Sequence, residues 1–275
     1  MWHDQGFIFG AMIVGTIWGL WRSANSHLHH LYWRENYGIG LTRLAVIASM
    51  VWCLFVLIFF ADSTIVNIWY VFYLLMSYTA IKLFGQKGAE LFGVRLRVDV
   101  YERKNFAAAT IIAAFTLATG LIFGGSMWGE STPESLEYGG IFEMLPGYED
   151  GWWITPWFFL MGWGILLGTM LLWFASEAGQ RIRRDRNMEE ARAAAIYCLC
   201  CAIPLTDAVA GNYYGLADSF LGFAVIAFPV LAHEWIKPRP GAEERRAEEP
   251  WIYIIVAIAV VVITPFVSQW LGFRT

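Results

Sequence analysis

Lysine and arginine are confined to a few short stretches of this chain, and long apolar runs separate those stretches. Eighteen of the nineteen basic residues fall within Arg22–Arg43, Lys82–Lys104, Arg181–Arg192 and Lys237–Arg246, and only Arg274 lies elsewhere. Each intervening run, or pair of runs, is long enough for helices that cross a hydrocarbon core, which needs about 20 apolar residues at about 1.5 Å per residue. Loops rich in Lys and Arg stay on the cytoplasmic side during insertion. The pattern therefore constrains the chain to an all-α, polytopic membrane bundle with all four basic stretches on one side. Composition agrees: 58% of residues are hydrophobic and 15% charged, against roughly 45–50% and 25% in soluble domains. A net charge of −4 excludes a sustained basic face for nucleic acid.

Eight apolar segments read as spans: 6–21, 44–61, 65–84, 106–128, 152–174, 193–212, 216–235 and 251–271. The first follows Met-Trp-His-Asp-Gln, without a positive leader, so it reads as a retained span and not as a cleaved signal. With the basic stretches inside, both termini fall outside, and the external connections are 62–64, 129–151 and 212–215. None contains Lys or Arg, and the middle one carries Glu130, Glu134, Glu137, Glu143, Glu149 and Asp150. Trp128, Trp152, Trp153, Trp235, Trp251 and Trp270 fall near the expected interfaces, as an aromatic belt does. The organisation is a single transmembrane domain with a three-span part (1–93), a four-span unit (94–235), and a charged linker with the last span (236–275).

Within the four-span unit, two hairpins have related beginnings. Asp99–Ala109 reads D-V-Y-E-R-K-N-F-A-A-A and Asp185–Ala195 reads D-R-N-M-E-E-A-R-A-A-A. Aligning the Asp residues and Ala triplets needs an offset of 86, whereas aligning Asn105 with Asn187 needs 82, about one helical turn less. Just before, Val94, Leu96, Val98 and Val100 alternate with Arg95, Arg97 and Asp99, a period of two that favours a strand or an extended interfacial segment.

The E-R-K-N-F-A-A-A stretch (Glu102–Ala109), the glycines Gly120, Gly124 and Gly125, and R-R-D-R-N (Arg183–Asn187) with Ala193–Ala195 together resemble the YjfL-like family over about residues 94–235. The resemblance implies repeated two-span hairpins in a bacterial inner-membrane protein. It implies no reaction, ligand or catalytic residue, because members of that family have no established one.

Among residues able to carry chemistry, Asp207 stands out. It lies about five residues, on the order of 7 Å, from the expected outer end of its span, where a carboxylate is costly unless it faces protein, water or a cation. Pro204 removes one backbone donor and frees a carbonyl, so Thr206 and Asp207 with that break could form an outer ion or proton site. Local hydrogen bonding of Asp207 near the hairpin turn is the competing reading. His27, His29, His30 and His233 fall on the cytoplasmic side and supply a weaker haem or metal alternative. Gly120 with Gly124, and Gly164 with Gly168, make G-x-x-x-G pairs that allow close helix packing in lipid. The four cysteines lie in apolar runs, where packing explains them. The sequence contains no G-x-S-x-G, H-E-x-x-H, phosphate-binding loop or G-x-G-x-x-G.

Two classes of function follow. The glycine faces, the missing catalytic motifs and the acidic external loop favour a non-enzymatic scaffold or accessory subunit that binds lipid and other membrane proteins or itself. Asp207, Thr206 and Pro204 favour a small ion or proton pathway. No cofactor is expected beyond bound lipid.

Overall fold

The computed structural model describes residues 36–61, 65, 68–128 and 154–210, with scattered helical positions at 10, 13–15, 17, 18, 21, 223, 224, 227, 228, 255, 259 and 263. The described residues are helical and contain no strand. Helix α1 is Tyr37–Phe59 and α2 is Ile68–Ala80; the latter continues as a π-helical segment, Ile81–Lys87, and a 3₁₀ segment, Gly88–Phe92. A second π-helical segment, Leu96–Glu102, leads into α3, Phe106–Gly125. Helix α4 is Ile154–Ala175, the short α5 is Glu177–Arg184, and α6 is Met188–Ala208. Five of these stretches are long and apolar enough to cross a membrane: α1, Ile68–Phe92, α3, α4 and α6. The expected first, seventh and eighth spans lie largely outside the described residues, as does the acidic loop.

Helix α3 is the centre. Its residues are mostly Ala, Gly, Thr, Ile and Phe, and nearly every one is buried. Small side chains let its neighbours approach closely on all sides, a packing economy suited to lipid, where burial of apolar surface does not itself drive association. On one side, Ser49 of α1 donates to the Thr116 carbonyl at 3.3 Å, Cys53 to that of Gly120 at 3.6 Å, and Trp52 Nε1 to that of Leu121 at 3.3 Å. Numbers rise together along this seam, so α1 and α3 run parallel. On the other side Gly125 lies against the Thr206 backbone of α6, also parallel. Helices α2 and α4 return antiparallel: Ser77 meets Met127 while Gly85 lies beside Thr116, and Phe159 meets Phe123 while Trp163 lies near Phe115.

The outward faces are apolar. Leu44, Ile47, Val51, Leu54, Phe55, Ile58 and Phe59 of α1 are exposed at spacings of three and four, the stripe a helix presents to lipid. The cysteines are buried, Cys53 in α1 and Cys198, Cys200 and Cys201 in α6, in keeping with a packing role.

Two expectations are corrected. From Leu96 onward the alternating run is π-helical, and only Arg95 before it is extended: buried Asp99 accepts the Arg95 N–H at 2.7 Å and so caps the first turn. Adjacent Asp99 and Val100 are both buried, which a strand alternating between two faces does not give. The second helical stretch runs to Phe92 instead of stopping at Phe84, so Gln86 and Lys87 continue the helix that contains Lys82.

Candidate functional site

The helices of the parallel trio begin in one way. Asparagine can accept a backbone N–H through its side-chain oxygen and still donate through its amide nitrogen. Asn36 Oδ1 accepts from Gly38 N at 3.1 Å while Nδ2 donates to the Val100 carbonyl at 2.5 Å. Asn105 Oδ1 accepts from Ala108 N at 3.2 Å while Nδ2 donates to the Ile182 carbonyl, also at 3.2 Å. Asn187 Oδ1 accepts from Glu189 N at 2.9 Å and Glu190 N at 3.2 Å. Val100 stands five residues before Asn105, and Ile182 five before Asn187. The first two caps therefore each staple their own helix to the lead-in of the next.

This geometry decides the register of the repeat. Lys104 and Arg186, immediately before the caps, both hold left-handed backbone, with φ of 52° and 55°. Asn105 N donates to the Asp99 carbonyl at 2.8 Å and Asn187 N to the Arg181 carbonyl at 3.3 Å. All of these pairs are separated by 82, so the asparagines correspond and the Ala triplets do not. Asn36 adds a third helix start of the same kind, which the sequence comparison of two hairpins left out.

The equivalent positions Asp99 and Arg181 carry opposite charges. Asp99 is met by Arg103 Nη1 at 3.3 Å. Arg181 reaches Glu190 at 3.2 Å and Glu177 at 3.8 Å. Glu190 is only 4% exposed, and a buried carboxylate persists when it is paired and hydrogen-bonded. Arg183 closes the layer: its Nε donates to the Gly179 carbonyl at 3.3 Å and its Nη2 to the Phe174 carbonyl at 3.4 Å, and its guanidinium covers Gly93, whose φ of 86° suits glycine. These polar groups are engaged in holding helix starts in register.

Helix α6 ends at Ala208, so Asp207 is in its last turn, and the residue is exposed. Thr206 Oγ1 donates to the Ala202 carbonyl at 2.7 Å, and Pro204 is buried within the helix. Among the described residues no group of three or more His, Cys, Asp or Glu is placed to hold a metal ion. His27, His29, His30 and His233, and the acids Glu130, Glu134, Glu137, Glu143, Glu149 and Asp150, lie outside the described residues.

The two G-x-x-x-G pairs have different surroundings. A Cβ at Gly120 would collide with Ser49, and one at Gly124 with the Trp52 indole. At Gly164 and Gly168 a Cβ would meet nothing within 4 Å among the described residues. These two belong to an outward row of α4 with exposed Trp157, Leu160, Leu171 and Leu172. Gly162, on another face of the same helix, is filled by Val209 and Ile122.

The polar residues missed by sequence reasoning are Lys82 and Gln86. Lys82 Nζ donates to Gln86 Oε1 at 2.8 Å, and Gln86 Nε2 reaches the Thr42 carbonyl of α1 at 3.5 Å. The signal was present as an amide and a lysine four residues apart, but the expected span ended at Phe84 and left Gln86 in the basic stretch beyond it. Comparison with protein families, curated proteins and solved structures finds no match for this chain.

Proposed function

We propose that the chain is a non-enzymatic scaffold or accessory subunit of a membrane complex, a YjfL-like protein of the bacterial inner membrane. In this reading it has eight spans, both termini outside, the acidic loop 129–151 outside and the four basic stretches in the cytoplasm. The observation that carries the proposal is the outward glycine row of α4. Within the bundle, glycines of α3 are used up by neighbouring helices, whereas Gly164 and Gly168 offer the same close-approach surface with open space above a Cβ at either position. In lipid, a G-x-x-x-G surface permits backbone contact with another helix and so favours protein over acyl chains. The capped and stapled helix starts support the same reading, since they make a fixed framework.

Purification in mild detergent tests it. Wild-type protein is expected to carry a stoichiometric membrane partner, either a second copy or another chain. The double variant Gly164→Ile/Gly168→Ile is expected to release that partner with unchanged thermal melting. A wild-type protein that runs alone, or a variant that keeps its partner, overturns the proposal.

A further inference from the structure

The π-helical segment that follows α2 places a pair of lysines where an ordinary helix would separate them. In an α-helix, Lys82 and Lys87 would point about 140° apart; the i→i+5 register of a π-helix brings residues five apart onto one side. Exposure follows this geometry. Lys82 and Lys87 are part-exposed next to exposed Leu83 and Leu91, while Ile81, Gly85, Gln86, Gly88 and Ala89 are buried. π-helical turns inside spanning helices are uncommon and frequently mark functional positions.

Lys82 is also held in a defined direction. Its ammonium extends along the helix to Gln86, toward the basic side of the protein, as a snorkelling lysine does. Gln86 is 6% exposed and is itself tied to α1 at the Thr42 carbonyl. Lys87 Nζ lies 6.0 Å from the centroid of the Trp18 ring, an aromatic–cation pair of the sort found at headgroup level. The stretch Ile68–Phe92 contains one acid, Glu90, whose carboxylate is 4.0 Å from Lys87 with both side chains partly solvated. Helix α1 adds Arg43 and no acid.

We infer that Lys82 and Lys87 form a binding site for the headgroup phosphate of an acidic phospholipid in the leaflet on the basic side. Two ammonium groups, one fixed by a buried amide, meet the phosphate oxygens, and exposed Leu83 lies at the top of the acyl chains. Charge complementarity and the outward, lipid-level position of the pair select this occupant. The inference goes beyond the docking surface on α4 and does not depend on it.

The full chain is placed in nanodiscs of phosphatidylcholine containing a minor fraction of phosphatidylglycerol, and lipids retained after extraction are counted by native mass spectrometry. Wild-type protein is expected to retain phosphatidylglycerol several-fold above its share of the bilayer. Lys82→Gln and Lys87→Gln are each expected to lower that enrichment, and the double variant to remove it. Arg97→Gln, at a side chain 81% exposed, is expected to leave it unchanged. Equal enrichment in wild type and Lys87→Gln, or an equal loss in Arg97→Gln, overturns the site, and Lys87→Gln alone suffices if the Lys82 variant fails to fold. Inorganic phosphate added to pure phosphatidylcholine discs is the second arm. Thermal stabilisation there equal to that by phosphatidylglycerol, lost in Lys87→Gln, would assign the site to free phosphate and overturn the lipid.

Discussion

The G-x-x-x-G pairs of α3 and α4 are the same motif in opposite situations. On α3, Gly120 and Gly124 are occupied by Ser49 and Trp52 of the neighbouring helix, and side chains of α1 hydrogen bond to the carbonyls of Gly120 and Leu121 that the missing Cβ atoms leave accessible. On α4, Gly164 and Gly168 meet nothing within 4 Å among the described residues, and exposed leucines flank them. The difference teaches that small residues in a membrane helix specify close approach but not the partner. The first pair builds the fold, and the second is the surface that the proposed scaffold reading assigns to an interaction between chains.

The sharpest way to break this contrast is to fill the inner pair. Gly120→Leu must displace Ser49 from a parallel seam and is expected to cost about 3 kcal/mol or more, read as a large fall in melting temperature. Gly164→Leu is expected to leave melting within about 0.5 kcal/mol of wild type. Equal losses at the two sites would erase the distinction.

A smaller effect is expected at the helix starts that hold the inner seam in register. Asn105→Ala removes both a cap and a staple to Ile182, for about 2 kcal/mol. Asn187→Ala removes capping bonds to Glu189 and Glu190, for about 1 kcal/mol. Denaturant or thermal titration in one detergent would rank them, and the reverse order would deny the staple its role.

The smallest expected change is a gain. Arg186 holds left-handed backbone, which glycine adopts without the steric penalty. Arg186→Gly is expected to stabilise by about 0.5 kcal/mol, with partner binding unchanged.

Parts of this arrangement were legible in the sequence for definite reasons. The start of α3 at Phe106 coincides with the expected span because Asn105 caps an uninterrupted apolar run. The inner end of the Ile68–Phe92 stretch was not legible, since Gly85, Gln86, Lys87 and Gly88 after Phe84 look like the start of a basic loop. The repeat register was ambiguous because Ala triplets one turn apart are interchangeable, whereas a left-handed cation followed by an asparagine cap is a geometric requirement visible only in backbone angles. Helix α6 ends at Ala208, four residues before the expected end of the span at Asn212, which puts Asp207 in its last turn. Nothing in a G-x-x-x-G pattern states which side of the helix faces its own chain, so the outward turn of Gly164 and Gly168 required the packed structure.

Site-specific photo-crosslinking in native membranes tests the outward α4 row most directly. A photoreactive residue at Leu160, beside Gly164, is compared with one at Ile47 on the exposed face of α1. A single protein adduct from position 160, abolished by Gly164→Ile/Gly168→Ile, together with lipid adducts alone from position 47, is the expected result. Lipid adducts alone from both positions, or the same protein adduct from both, would contradict it.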